Sequence, residues 1–187
     1  MIGLGTVTDP YQEAERHLLI TRRCLMEIVP HGLSVSALTK SDLILRDIDL
    51  YKELKGEVGI TITSVNDEMS RMLEPGAPLP CRRIQALRRL ADEGLNAYAL
   101  IGPLLPLLTG RDVNDMVEAL SSTGIEWVML DRFRPRPGMF NDIARRPGGE
   151  EVADRLDRAH RAEDYRELES LLRHRFSEKG IRCVNAF

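Results

Sequence analysis

Apolar and polar positions along the chain change period many times, and the changes divide it into alternating strands and helices. Ile2–Thr6 is a short apolar run of the kind that forms a strand. Glu13–Ile28 places Leu18, Leu19, Leu25, Met26 and Ile28 at helical spacing, and Pro30 and Gly32 close it. Leu33–Thr39 is a second strand, Leu43–Leu54 a helix with Ile44, Ile48, Tyr51 and Leu54 on one face, and Val58–Thr63 a third strand. Asp67–Leu73 is a short helix broken at "EPGAP", and Cys81–Glu93 a helix with Ile84, Leu87 and Leu90 on its core side. Leu95–Ile101 is the fourth strand, followed by "GPLLPLLTG", whose prolines and glycines predict a loop. Val113–Ser122 is a helix, Ile125–Leu130 the fifth strand, "RFRPRPG" a loop, Val152–Arg175 one long charged helix and Ile181–Ala186 a last short strand. Strands alternating with helices imply parallel pairing through right-handed crossovers. A doubly wound sheet gathers its site at one switch point. Here polar residues follow nearly every strand, which favours part of a (β/α) barrel.

Length and composition narrow this only a little. The 187 residues fit one domain-sized core, and 43% hydrophobic with 29% charged residues excludes a disordered or collagen-like chain. No apolar run has the length of a membrane span, and the N-terminus lacks the basic-then-apolar layout of a signal peptide, so the chain reads as cytoplasmic. The net charge of −3 hides an asymmetry: residues 1–131 carry 13 basic and 19 acidic side chains, residues 132–187 carry 13 and 10. Because acids are interleaved with bases in that second part, a solvated helix is the simpler reading and nucleic-acid binding is not indicated. Cys24, Cys81 and Cys183 lie far apart, without a Cys-x-x-Cys pair, and the four histidines show no metal spacing.

In parallel α/β folds ligands lie beyond the C-terminal ends of the strands. The residues found there are Thr6, Thr8, Asp9, Tyr11 and Gln12; Thr39, Lys40 and Ser41; Thr61, Thr63, Ser64 and Asn66; Gly102 and Pro103; and Asp131, Arg132 and Arg134. This is a polar ring containing one lysine, suited to a small polar ligand whose carboxylate or phosphate Lys40 would hold. Each residue has a plainer use. Thr8 and Ser41 suit helix caps, Asp9-Pro10 a turn, and Arg46, Asp47, Asp49, Lys52 and Glu53 a charged helix face.

The order of "GTVTDPYQEAE", "ITRRCLMEI", "LTKSDLILRDIDL", "GITITSVNDEMSRMLEPGAP" with "RRI", and "GPLLP" resembles the radical S-adenosylmethionine proteins related to spore photoproduct lyase, from about Gly3 to Arg134. The resemblance implies an incomplete parallel (β/α) barrel over residues 1–140 with a helical extension over 141–187. It implies S-adenosylmethionine bound to a [4Fe–4S] cluster, whose reductive cleavage gives a 5′-deoxyadenosyl radical. Lys40 matches the lysine that pairs with the methionine carboxylate. Thr61 stands where the family has a serine that contacts the cofactor, keeping the hydroxyl and adding a methyl. Thr8 and Asp9 match the loop near the methionine amino group, and Glu74 and Arg83 match positions of structural use. The family's first strand and its Cys-x-x-x-Cys-x-x-Cys loop precede "GTVTDPYQ", and this sequence has no counterpart of that loop, so no metal ligand is assigned. A truncated chain, one half of a split radical enzyme, or a non-catalytic ligand- or partner-binding remnant would each have this pattern, and the chain alone is expected to be inactive. The Ile2–Thr6 edge is expected to meet a second copy or a separate N-terminal fragment, unless Ile181–Ala186 covers it.

Overall fold

A computed structural model describes residues 1–162 and 165–186. Six strands form one open sheet in chain order: β1 (Ile2–Leu4), β2 (Val35–Thr39), β3 (Gly56–Thr61), β4 (Ala97–Leu104), β5 (Trp127–Arg132) and β6 (Arg182–Asn185), every pair parallel. An order without reversal has no switch point. Right-handed crossovers of one sense lay their helices on one face, and the sheet curves as an open barrel. The incomplete (β/α) barrel expected from the sequence is the fold observed.

The helices are α1 (Glu15–Leu18), α2 (Ile20–Ile28), α3 (Ile48–Glu53), α4 (Asp67–Leu73), α5 (Pro80–Asp92), α6 (Gly110–Ser121), α7 (Met139–Ala144), α8 (Gly149–Arg161) and α9 (Tyr165–Glu178). On the convex side Val35, Ala37, Val58, Ile60, Ala99 and Val128 point outward from the strands into the main core, against Ile44, Leu87, Leu90, Val113, Leu172 and Phe176. The strands' alternate residues face the concave side. Tyr98 and Trp127 stack there with ring centroids 4.1 Å apart, the Trp127 Nε1–H donates to Asn96 Oδ1 at 3.0 Å, and the Arg182 guanidinium lies 5.7 Å over the indole. Gly59 makes this possible: a Cβ there would stand 2.4 Å from Tyr98 Cζ, so only glycine lets the ring lie across β3. With Leu38, Leu100 and Met129 beside them, these rings form a separate apolar cluster on the concave face.

Four expectations change. The helix expected over Glu13–Ile28 is two helices, broken at Leu19 with φ of 52°. The Glu15 carboxylate causes the restart: its Oε2 accepts from the Thr21 N–H at 3.0 Å and so caps α2 from outside. The "GPLLP" segment, expected as loop, continues β4 to Leu104, with a register shift between Ile101 and Leu104; Leu104 is fully buried, and that packing outweighs the poor strand propensity of Gly-Pro. The long helix expected over Val152–Arg175 is α8 and α9, with residues 163–164 outside the described set, and α7 was not expected. Ile181–Ala186 does not cover β1. Its strand β6 pairs with β5 at the opposite edge, and α9 packs in the main core. Above the strand ends α4, α7 and α8 form a second cluster around Leu105, Phe133, Ile143 and Leu156.

Candidate cofactor site

The loop after β1 is built by its own polar residues. Gly5 has φ of 97°, and a Cβ there would stand 2.3 Å from the Leu38 carbonyl oxygen, so the loop crosses β2 at a distance open only to glycine. Asp9 then fastens it. Oδ1 accepts from the Tyr11 N–H at 2.8 Å and from the Thr39 hydroxyl at 2.5 Å, and Oδ2 accepts from the Lys40 N–H at 2.8 Å. The Thr21 hydroxyl donates to the Pro10 carbonyl at 2.5 Å. Beneath the loop the Tyr11 hydroxyl donates to Asp47 Oδ2 at 3.0 Å and lies 3.1 Å from the Tyr51 hydroxyl. Burial pushes both phenols above their ordinary range, with the Asp47 charge adding to it.

Asp47 departs from the reading of its segment as a charged helix face with local pairs. Its side chain is wholly buried and accepts from Arg22 Nη1 at 2.9 Å and from Arg46 Nε and Nη2 at 2.8 Å each. Arg46 continues to Glu15 Oε1 at 2.8 Å, and Arg22 to Asp49. The charged residues of "ITRRCLMEI" and "LRDID" thus clamp the first loop to the sheet.

A second cluster stands at the ends of β2 and β3. Lys40 is half-exposed, with Nζ 3.6 Å from Glu74 Oε1. Glu74 Oε2 accepts from Arg83 Nη1 at 2.7 Å, and the Thr63 hydroxyl lies 2.9 Å from Glu74 Oε1 and 3.1 Å from the Gly102 carbonyl oxygen. Arg83, 1% exposed, also donates to the carbonyls of Pro78 and Thr61, while its Nη2 has no acceptor among the described residues. Two cavities meet here, sharing Lys40 and Ala77 as wall. An outer cleft of about 650 Å³ runs between the first loop and the "PGAPL" turn, lined by Asp9, Gln12, Arg16, Ser41 and Arg82. A second chamber of about 360 Å³, no more enclosed than the cleft, lies beside α4 and α7.

Of the residues singled out from the sequence, Asp9 and Lys40 come together and Thr61 lies across from them, buried on β3. Asp9 spends both carboxylate oxygens on protein donors. Thr8 is exposed and its side chain makes no hydrogen bond among the described residues, while Ser41 takes the capping role by accepting from the Leu43 N–H at 3.2 Å. Thr63, two residues beyond Thr61 on the same face, reaches the chamber; that spacing was visible in the sequence, but the carboxylate it meets was not.

No family model matches the chain. The uncharacterized protein MJ0683 of Methanocaldococcus jannaschii is 39% identical over 106 residues, covering 56% of this chain and 40% of that protein. The uncharacterized protein Rv2578c of Mycobacterium tuberculosis is 30% identical over 135 residues, covering 69% and 40%. The chain therefore spans 40% of the length of these relatives. Among solved structures, a spore photoproduct lyase mutant with bound AdoMet and dinucleoside spore photoproduct superposes with a TM-score of 0.68 at 14% identity, over 97% of this chain and 59% of that one. Streptococcus suis SuiB bound to S-adenosylmethionine does so with 0.60 at 9% identity, over 91% and 37%. The chain shares with these structures the fold of an open barrel of parallel βα units.

Proposed function

We propose that this chain is the S-adenosylmethionine-binding part of a radical enzyme related to spore photoproduct lyase, with Lys40 as the anchor of the methionine carboxylate. The observation that carries the reading is the corner at the ends of β2 and β3. Arg83 and Lys40 bring two positive charges there against the single carboxylate of Glu74, and a buried Arg83 N–H lacks an acceptor. An anionic group on the ligand pairs with Lys40, which lines both cavities, while Arg83 lies buried behind it and holds Glu74. Thr8, Asp9 and Thr61 belong to the same reading, Asp9 by holding the loop and the Lys40 backbone in place. When bound, S-adenosylmethionine supplies a reactive sulfonium; the chain's own residues bind its carboxylate and exclude water from one side.

The described residues do not fit the cluster that the fold's enzymes imply. Cys24 and Cys81 are exposed on α2 and α5, and Cys183 is partly buried on β6, where burial pushes its thiol up to about 11. Among the described residues no three His, Cys, Asp or Glu side chains are grouped to hold a metal. No step through a cluster is derived for this chain, and its thiolates would have to come from elsewhere.

Calorimetric titration of S-adenosylmethionine tests the cofactor reading. Lys40→Ala should weaken binding by about 1–3 kcal/mol, the range of a charge-assisted hydrogen bond. Equal affinity in wild type and variant, or no binding by a folded wild type, would remove the assignment. The separated cysteines favour a binding role for the chain alone. Incubated anaerobically with a strong reductant, it should release no 5′-deoxyadenosine, and product in proportion to the chain would show that a cluster is held by ligands other than those identified.

A further inference from the structure

We propose that the chamber beside α4 and α7 is the substrate site, and that it takes an uncharged amphipathic molecule, an apolar body carrying one hydroxyl or amide N–H as a hydrogen-bond donor. The inference rests on the cofactor reading above, in which the carboxylate of S-adenosylmethionine occupies Lys40, and extends it to the substrate class. Lys40 and Ala77 wall both cavities, so a cofactor held on Lys40 from the larger outer cleft lies against whatever fills the chamber. Leu73, Pro75, Pro103, Leu105 and Met139 are the chamber's apolar walls, and Thr63 and Glu74 are its polar side chains besides Lys40. Its volume, about 360 Å³, falls in the range of small-molecule pockets, and apolar walls with a few convergent polar groups are their usual make-up.

The need for a donor follows from where the protons are. A threonine hydroxyl has one proton to give, and Thr63 has two acceptors in reach for it, Glu74 Oε1 at 2.9 Å and the Gly102 carbonyl oxygen at 3.1 Å. Its oxygen therefore offers a ligand lone pairs and no proton. Glu74, ion-paired with Arg83 through Oε2 at 2.7 Å, is a carboxylate that only accepts. Its Oε1 stands 3.6 Å from Lys40 Nζ, beyond hydrogen-bond distance, and so has room for a further donor. With Lys40 given to the cofactor, the polar side chains left to the chamber accept and do not donate, and the ligand brings the proton. The absence of charge follows from the count at the same corner. Arg83 and Lys40 carry two positive charges, Glu74 and the cofactor's carboxylate two negative ones, so the corner is neutral once the cofactor is in place. A further ion there would lose water without a counter-charge of its own, a cost that an uncharged donor escapes. The body is apolar because the five apolar walls give a polar one no side-chain partner.

The test titrates straight-chain 1-alcohols from ethanol to octanol into the whole chain, with calorimetry or chemical-shift mapping. Dissociation constants should fall by about three- to fourfold per methylene until the chamber is full. Butyl methyl ether, which matches pentanol in size but has no proton to donate, should bind about fivefold more weakly than pentanol. Met139→Trp, or Leu73→Trp should the first variant lose its thermal transition, should flatten the length dependence. With S-adenosylmethionine saturating, hexanol should bind more tightly than hexanoate or hexylammonium. Affinity independent of chain length, an ether bound as tightly as its alcohol, an unaltered slope in both tryptophan variants, either ion bound more tightly than hexanol beside the cofactor, or no binding of any alcohol would overturn the inference. Titration of S-adenosylmethionine into the wild type separates the two readings. Alcohol bound in preference to ether, without S-adenosylmethionine binding, leaves the chamber its donor-bearing ligand and removes the cofactor, and the reverse result removes the chamber alone.

Discussion

Asp47→Ala should cost about 3–5 kcal/mol of unfolding free energy, the range for removing one partner of a buried charge cluster. Asp47 has no exposed surface and receives Arg22, Arg46 and the Tyr11 hydroxyl. The variant leaves two guanidinium groups and a phenol without their acceptor. The arginine side chains keep 28% and 24% exposure, so water recovers part of the loss and the lower end of the range is expected. Tyr11→Phe removes one hydrogen bond from the same cluster and should cost about 1 kcal/mol. Urea unfolding followed by circular dichroism measures both, and an Asp47→Ala variant within 1 kcal/mol of wild type would show the cluster to be dispensable. The pH dependence has a definite sign. Burial pushes the Asp47 carboxyl up, but the hydrogen bonds from Arg46 and Arg22 outweigh it and hold the group below its ordinary value. A carboxyl lowered in the folded state adds stability above its unfolded pKa, about 3.9, and that stability drains away as pH falls through the folded value. Asp47→Asn should therefore flatten the acid limb of the stability curve below about pH 4.

The chain studied by itself should self-associate through its β1 edge. Among the described residues the exposed large hydrophobic side chains are Met1, Val7, Leu18, Leu19, Ile20, Met26 and Leu33, all within the first strand, its loop, the first two helices and the turn before β2. Val7 is 92% and Ile20 51% exposed. β1 stands at the end of the sheet order, and among the described residues no strand pairs with its outer edge. Edges left open in natural sheets are commonly blunted by charge, proline or a covering element, and Ile2–Leu4 carries neither charge nor proline. Apolar exposure concentrated in the first 33 residues, beside an open strand edge, is what an interface requires. Light scattering coupled to size exclusion should give a mass that rises with concentration for the wild type, and a monomer for a Val7→Lys, Ile20→Lys double variant. A wild type monomeric at every concentration would show that water alone suffices at this edge.

Local periodicity carries the order of elements because it reports which side of a strand or helix is apolar, and burial follows that side. Asp67–Leu73 was bounded from the sequence by its break at "EPGAP", and the structure adds Asn66, read from the sequence as a strand-end polar residue, as the cap that accepts from the Met69 N–H. The parallel, singly wound barrel was legible too, because polar residues after successive strands imply a ring of strand ends rather than one crevice. The resemblance of ordered motifs pointed to the same strand ends and to Lys40. What no local pattern contains is the partner of a charge. Asp47 reads as one acid among several on a helix, and becomes a buried hub only because Arg22 and Glu15 arrive from elsewhere in the chain. Glu74 reads as a helix break, yet folding sets it between Arg83, Thr63 and Lys40 and so leaves the lysine with donors to spare. β4 runs through Gly102-Pro103 against its propensity because the core on that side has room for Leu104. Spacing within a segment depends on the backbone's own period and is written in the sequence; ion pairing and desolvation depend on which segments meet, and that only the tertiary structure decides.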